Sequence, residues 1–413
     1  MLWLLGLSGV ALQVAAVPMT LQLLRRGRTR IPDGFGVWLL FLLCSAVGVL
    51  VLGVDPAGTV PDSASSRLIG FGVRESGFLA ATVLLLYVGN LSEEELPERR
   101  VLQGLSVLFS WTVLGGVLAL VWPDASFRSP VELLLPRSLA DVPYVSHLVH
   151  PAFAQVQDFG GDPLPRPAAP FPYTNSWGFQ IVLLSIWFGL HTARVGGRRR
   201  AAGFLVLGTA LVTVVCSVNR GAWLGGALAV VALCLSLALR GRTVPVLALL
   251  ATLAVTAAAL VASPLGAVVD TRLAHGNSDQ IRAFTSHRAV DLALRSPVVG
   301  YGSTRSAIGS PTSIAVGKSA DCPTCGNVPI GINGYVFTLL MSTGYVGTVL
   351  FFAFWGSQLR RSRGDPGAVA TAARITVVVA TLFGFFYDLE PLVPFLALGL
   401  LWRRRSAGEG RVG

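Results

Sequence analysis

Arg220 is the residue of this sequence whose surroundings most favour the binding of an anion. It lies in the short turn 217–221, between two long apolar segments. An arginine costs roughly 2.5–3.5 kcal/mol at the centre of a membrane helix and less near a helix end. A guanidinium beside the N–H groups of a helix start can bind a phosphate. Snorkelling of Arg220 toward lipid headgroups is the alternative, and both stay open.

Arg288 belongs to a second group of charged side chains, on a helix predicted within a long polar connection. Asp291 follows Arg288 by three residues and precedes Arg295 by four, which are spacings that bring side chains together on one helix face. The group is either a solvated face with internal ion pairs, or a surface that directs arginines at the anion that Arg220 binds. The same two interpretations apply to His287, which lies beside Arg288.

Two further sets of residues carry charge in unusual places. Arg166 precedes Asn175 in the other long connection and is either a third anion contact or a plain loop arginine. Arg74 and Glu75 lie about seven residues inside an apolar segment. Ionisable groups at that depth pair with each other and face protein or a wet cavity, so a structural pair and a cavity wall are both possible.

Asp388 and Glu390 flank the last predicted outer turn, where a carboxylate is either a general base or a solvated helix end. Cys322 and Cys325 have no second pair of ligands at zinc-finger spacing, so the sequence favours a local disulfide over zinc. The sequence contains no phosphate-binding glycine loop, no Asp-x-Asp motif and no Gly-x-Ser-x-Gly elbow. We therefore expect neither a metal nor a cofactor.

Composition places these residues in a membrane protein. Of the 413 residues, 53% are hydrophobic and only 13% are charged, against about 25% charged in soluble domains. Several uncharged runs reach the 18 or more residues that a helix needs to cross a bilayer. The sequence thus predicts an all-α polytopic integral membrane protein, whose first segment is a retained helix rather than a signal peptide.

The apolar segments predict about eleven transmembrane helices. They cover residues 2–24, 35–54, 68–90, 101–122, 176–191, 201–218, 221–239, 243–263, 334–356, 369–387 and 390–402. Arginines cluster in every second connection, which predicts that the N-terminus lies outside and the C-terminus inside. The same clustering explains the net charge of +11 without nucleic acid as a partner.

This topology divides the chain into five parts. They are the N-terminal helices 1–122, a first extracytoplasmic connection 123–175, the helices 176–263, a large extracytoplasmic loop 264–333, and the C-terminal helices with a basic tail 334–413. The first connection is rich in proline and predicts irregular structure with a short helix near 129–135. The second predicts one helix over 279–295, which ends before Pro297.

Four stretches resemble motifs of the O-antigen ligase and O-antigen polymerase superfamily. The stretch 217–225 is similar to the Ser-Arg-Gly-Ala helix start of that family. The stretch 288–302 resembles its arginine-bearing helix with a Pro-x-x-Gly-x-Gly turn. The stretches 332–347 and 166–175 are similar to the segments that open two other spans. Their order and shared outer face carry the resemblance.

The resemblance implies a metal-independent glycosyltransferase that uses a glycan on undecaprenyl diphosphate. By position, Arg220 and Arg288 would hold the diphosphate and stabilise it as it leaves, and Arg166 would assist. Fixed guanidiniums compensate the negative charge that develops in this step without reorganisation. The other candidate substrate-binding residues are Asn175, His287, Asn333, Arg74 and Glu75.

One position departs from the family pattern. Ile332 stands where the family has a histidine that is thought to serve the acceptor hydroxyl. Asp291 is our tentative base, and His287, Asp388 and Glu390 are alternatives. The enzyme would otherwise depend on stabilisation of the leaving group alone, or would bind a lipid-linked glycan without catalysis.

The expected partners are a lipid-linked oligosaccharide donor, an acceptor that is a glycan, a lipid or a protein, and the bilayer. A transporter or flippase of a lipid-linked intermediate is the second hypothesis. It requires polar residues along a path through the membrane, and the sequence offers only Arg74 and Glu75 for it. A scaffold without catalytic activity is the third.

Overall fold

The computed structural model describes residues 2–140, 143–159, 162–261, 277–309 and 326–409, and these residues are mostly helical. The first elements are α1 (Ala11–Arg25), α2 (Phe35–Val47), α3 (Ala64–Asn90), α4 (Glu98–Val121), α5 (Pro130–Leu134), α6 (Arg137–Ala140), α7 (Pro143–Val149), β1 (Ala154–Phe159) and β2 (Asp162–Pro167). The next are α8 (Thr174–Arg194), α9 (Gly197–Cys216), α10 (Arg220–Ala238) and α11 (Thr243–Val261). The last are α12 (Asn277–Arg295), β3 (Arg305–Ala307), β4 (Val328–Ile330), α13 (Tyr335–Arg361), α14 (Ala368–Phe383) and α15 (Leu392–Glu409).

The helices have the length and composition of membrane-spanning segments. Within the described ranges, five of them are long and apolar enough to cross a bilayer, namely α3, α4, α9, α10 and α13. Shorter apolar helices cover Phe35–Val51, Thr243–Val255 and Ala368–Phe383. Each segment predicted to span contains a helix. The chain is thus a helical membrane protein by its fold, while the number of spans and their orientation stay predictions.

The first long connection contains more regular structure than its prolines predict. The short helix expected near 129–135 is present as α5, but β1 and β2 form an antiparallel hairpin that the sequence reading missed. The prolines of β2 stand at every second position, 163, 165 and 167. Alternate residues of a strand point their N–H groups to the same side, so all three prolines can lie at an outer edge without breaking the pairing.

The second connection contains the predicted helix. Helix α12 ends at Arg295, directly before Ser296 and Pro297, which confirms that part of the prediction. After it, β3 pairs with β4 in antiparallel register, Arg305 opposite Ile330.

Packing divides the chain into two compact units that are each discontinuous in sequence. Unit 1 comprises Met1–Val14, Leu91–His275 and Asp365–Ala380, and unit 2 comprises Ala15–Asn90, Gly276–Gly364 and Thr381–Gly413. In unit 1, α4 packs against α8 and α9, and α8 packs against α10. The Trp177 indole N–H donates to the Thr112 carbonyl at 3.1 Å, and the Phe109 and Phe188 rings lie 4.6 Å apart.

Unit 2 is built around an aromatic core. Helix α15 packs against α3, α2 against α13, and α12 against α13. The Trp38 ring lies within 5.6 Å of Phe41, Phe351, Phe354 and Phe395, and burial of such large side chains supplies most of the packing energy.

Helix α13 is broken at Gly344, which has φ 66° and ψ −170°. This lies ~14 Å from the helix start at about 1.5 Å per residue. The turn after α12 fills the break: Tyr301 N–H donates to the Met341 carbonyl at 2.7 Å, and Val346 N–H donates to the Pro297 carbonyl at 3.1 Å. Such a break inside a membrane helix requires that neighbouring groups satisfy the backbone. The two stretches 288–302 and 332–347, which the sequence singled out separately, therefore contact each other.

Candidate functional site

The turn between α9 and α10 is tight and strained. Val218 has a φ of 50°, which is an outlier for a β-branched residue and costs on the order of 1–3 kcal/mol. Asn219 caps α10, because its side chain accepts the Ala222 N–H at 3.4 Å. Strain of this kind persists only where the surroundings enforce it, and it concentrates at functional sites.

Arg166 reaches this turn from strand β2. The residue is 6% exposed, and its Nε donates to the Ser217 carbonyl at 3.0 Å. The Thr174 hydroxyl donates to the Arg166 carbonyl at 3.3 Å, which ties the strand to the start of α8. The structure therefore places Arg166 against the turn that carries Arg220, while Asn175 is exposed at the second position of α8.

The electrostatics of the turn favour an anion. Arg220 is the first residue of α10 and is half-buried. A helix N-terminus carries a partial positive charge and presents N–H groups that have no partner within the helix. A guanidinium in the first turn and a second one hydrogen-bonded to the preceding loop add to that field. The arrangement suits a phosphate or diphosphate group.

Arg288, in the middle of α12, contacts the connection between α2 and α3. Its Nη2 donates to the Ala57 carbonyl at 2.6 Å. Gly58 has a φ of 79°, and a Cβ there would lie 2.2 Å from that same nitrogen, so the position requires glycine. A guanidinium has five N–H donors, and this one contact leaves donors of Arg288 for a ligand.

The neighbours of Arg288 on α12 do not form the pairs that their spacing suggested. His287, Asp291 and Arg295 are exposed. Between these described side chains, no ion pair joins Asp291 to Arg288 or to Arg295. Arg288 is turned toward Ala57 instead, which accounts for the missing pair between Asp291 and Arg288. Asp291 is therefore left as a solvated carboxylate on the same helix.

Arg74 and Glu75 form the pair that their depth in an apolar segment predicts. Arg74 Nη2 lies 3.1 Å from Glu75 Oε1, and their side chains are 14% and 18% exposed. Arg74 also donates to the Gly302 carbonyl at 2.8 Å, and the Ser45 hydroxyl donates to Glu75 at 2.6 Å. The pair thus holds the turn after α12 in place. Of the two interpretations, a structural pair or the wall of a cavity, these contacts favour the structural pair.

Asn333 lies between α12 and α13, where its side chain donates to the Thr285 hydroxyl. The Thr338 hydroxyl donates to the Gly331 carbonyl at 2.6 Å and lies 3.4 Å from Asp388 Oδ1. Asp388 is thus beside the segment that carries Ile332 in place of the family's histidine.

The side-chain carboxyl of Asp388 has a raised pKa. Protein that surrounds the carboxyl removes much of its hydration and raises its pKa from 3.8 to about 6, and the hydrogen bond from Thr338 opposes that shift. The residue nevertheless keeps an exposed surface. A carboxyl with a raised pKa near the predicted membrane edge is one of the candidate bases.

Sequence reasoning missed Arg305. Its side chain is completely buried and donates to the carbonyls of Leu52, Val54 and Tyr301. Burial lowers its pKa to about 10, so it stays charged at neutral pH. It also donates to the Ser303 hydroxyl at 2.6 Å and lies 4.0 Å from Asp55 Oδ1. Most of its partners are backbone carbonyls, which every residue type has, so no sequence pattern pointed to it.

No group of three or more His, Cys, Asp or Glu side chains that could hold a metal ion occurs within the described ranges. Cys322 and Cys325, for which the sequence favours a disulfide, lie outside those ranges.

Comparison with known proteins adds no assignment: no family model matches the sequence, and no curated protein is significantly similar to it. Arg220 and Arg166 belong to unit 1, and Arg288 belongs to unit 2. That Arg220 and Arg288 serve one diphosphate therefore stays a prediction from the sequence.

Proposed function

We propose that the protein transfers a glycan from a polyprenyl diphosphate carrier to an acceptor hydroxyl, as a ligase or polymerase of the O-antigen type. The observation that carries this proposal is the strained turn before α10, where Arg166 donates to Ser217 three residues before Arg220. Two guanidiniums and a helix start on one turn fit the headgroup of such a carrier.

Glycan transfer from a diphosphate carrier requires a site that stabilises developing negative charge. The acceptor oxygen bonds to the anomeric carbon while the bond from that carbon to the phosphate oxygen breaks, and the diphosphate leaves with the electron pair. Arginines that are already fixed near the leaving oxygen stabilise the charge as it develops. Arg220 and Arg166 perform this in unit 1, and Arg288 is the proposed third contact.

The proposed orientation places this step at the extracytoplasmic face of a bacterial plasma membrane. Eleven spans with the N-terminus outside put 123–175 and 264–333 on that face, while the short arginine-rich connections stay inside. The acceptor is a glycan, a lipid or a protein. Nucleotides of the cytosol are absent there, which agrees with a donor that is activated by its lipid diphosphate.

Transport is the less favoured function. A path across the bilayer would use Arg74 and Glu75, but their side chains are engaged with Gly302 and Ser45. The contacts thus support a structural role for the only pair on which that hypothesis rested.

The test is glycan transfer by the purified protein in proteoliposomes that contain a lipid-linked oligosaccharide. We expect Arg220→Ala to lower kcat at least 100-fold, because a charge-assisted contact made in the transition state is lost. Arg220→Lys should recover only part of it, since lysine cannot form the planar fork. Arg242→Ala is the matched control, because this exposed arginine lies beyond the other end of α10. Equal transfer by all four proteins would contradict the proposal.

A further inference from the structure

A cavity of about 320 Å³ lies in unit 1, within the first long connection, and the proposed transfer assigns it no role. Aromatic rings line it, from Trp3 and Phe171, together with the polar side chains of Ser146, Gln155 and His150. Binding sites for small molecules combine an apolar lining with a few placed polar groups. The volume is in the range of such sites.

His150 in this cavity is oriented by a carboxylate. Its Nδ1 lies 2.8 Å from Glu132 Oε2, and the two side chains are 33% and 19% exposed. An ionised carboxylate only accepts hydrogen bonds, so Nδ1 carries the proton and Nε2 is left as the acceptor. A histidine held in one tautomer by a carboxylate has the arrangement of a general base.

The fold positions this pair through Ser129, which begins α5. The buried Ser129 hydroxyl accepts the Glu132 N–H at 3.0 Å and donates to the Val149 carbonyl at the end of α7. One side chain thereby fixes Glu132 on α5 relative to His150, the residue after α7. The Ser-x-x-Glu spacing of Ser129 and Glu132 indicates a helix start. No sequence pattern indicates that Glu132 pairs with His150.

The cavity is linked to the arginine turn by hydrogen bonds within unit 1. Gln155, in its lining, accepts the Thr174 N–H at 3.2 Å. The Thr174 carbonyl in turn accepts from the Asn219 side chain at 3.4 Å, and Asn219 immediately precedes Arg220. One residue, Thr174, thus lies between the cavity wall and the start of α10.

We infer that this cavity binds the acceptor saccharide and that His150 deprotonates its hydroxyl, with Glu132 as the positioning residue. The inference depends on the proposed transfer. His150 Nε2 takes the proton as the acceptor oxygen bonds to the anomeric carbon and the carrier diphosphate leaves. The imidazolium afterwards releases that proton to water. A base from unit 1 would replace the family histidine that is absent at Ile332.

The first measurement needs no variant and no transfer. Diethyl pyrocarbonate modifies accessible histidines, and mass spectrometry follows His150 and His191 in the full-length protein. Oligosaccharides of one to three repeats, released from the lipid-linked donor, are the probe. We expect them to slow modification of His150 at least fivefold and to leave His191 unchanged, because His191 lies in the last turn of α8, outside the cavity lining. Equal modification of His150 with and without saccharide would overturn the inference.

The second measurement is transfer by His150→Ala, Glu132→Gln and the control His191→Ala. A general base contributes about 10²–10⁴-fold, so His150→Ala should lose at least 100-fold in kcat with the KM for the donor nearly unchanged. Added imidazole should restore part of the activity to His150→Ala but none to Arg220→Ala. Glu132→Gln should lower kcat about tenfold or more.

The two proposals fail in different ways. If the wild type forms no product, the proposed transfer is wrong, and protection of His150 alone then decides whether the cavity is a saccharide site. If the wild type transfers glycan and His150→Ala does so equally well, the transfer stands and the role of His150 is wrong.

Discussion

At the scale of single residues, burial and position in the fold distinguish the arginines of the scaffold from those of the candidate site. The Arg305 side chain is completely buried and donates to several backbone carbonyls and to the Ser303 hydroxyl, so it holds the chain together. Arg74 is occupied by Glu75 and the Gly302 carbonyl. Arg220 is half-buried at a helix start. An apolar surrounding sequence marks Arg74 and Arg220 as unusual, whereas nothing in the sequence marked Arg305. The helix start and the neighbouring Arg166 are what suit Arg220 to an anion.

The raised pKa of Asp388 predicts a pH dependence of stability. A folded-state value of about 6, above the ordinary 3.8, means that the folded protein binds this proton more tightly than the unfolded chain. The resulting stabilisation is complete below pH 3.8 and is lost as the pH rises through 6. We expect Asp388→Asn to raise the Tm in detergent at pH 8 and to change it little at pH 4.

Asp124→Asn is the control for this measurement, since it removes an exposed carboxylate just after α4. Its effect on the Tm should not vary between the two pH values. An Asp388→Asn variant with the same shift at pH 4 and pH 8 would show that this carboxyl is not desolvated.

At the scale of elements, we expect the break in α13 to matter most for function. The turn that follows helix α12, which carries Arg288, packs into this break. A Cβ at Gly344 would lie 2.5 Å from the Pro297 carbonyl oxygen, and the backbone conformation there is open essentially to glycine alone. We expect Gly344→Ala to lower the free energy of unfolding by about 1–3 kcal/mol from backbone strain, with a further loss from the contact.

Gly356 provides the matched control on the same helix, because a Cβ there meets nothing within 4 Å. Gly356→Ala should leave stability unchanged or raise it by about 0.5–1 kcal/mol through helix propensity. Thermal unfolding in detergent measures both variants, and equal Tm values for the two would refute the idea that the break is built into the fold.

The elements also show where sequence reasoning succeeds. Helices α12 and α10 begin and end close to the predicted residues, because proline, asparagine and runs of apolar residues act locally. The hairpin β1–β2 was not predicted, because its prolines were interpreted as a sign of irregular structure. Prolines at every second position are also compatible with the outer edge of a strand. The contact of Arg166 with Ser217 joins residues 51 positions apart, and no local pattern could supply it.

At the scale of the whole molecule, the arginine distribution predicts an orientation that labelling can test. In a protein with its five native cysteines replaced, single cysteines are placed at Leu134, which is 84% exposed in α5, and at Arg199, which is exposed in α9. A maleimide that cannot cross membranes should label Leu134→Cys in intact cells. Arg199→Cys should react only after permeabilisation, and the reverse pattern would contradict the orientation.

The central claim is that the turn before α10 binds a lipid diphosphate through Arg220, and binding of polyprenyl diphosphate to the purified protein tests it most directly. A hydrogen bond to a charged group contributes about 1.5–3 kcal/mol, so we expect Arg220→Ala to raise the Kd by about 10- to 100-fold. Arg220→Lys should fall between Arg220→Ala and the wild type, and Arg242→Ala should match the wild type. A Kd that is the same for the wild type and Arg220→Ala would contradict the account.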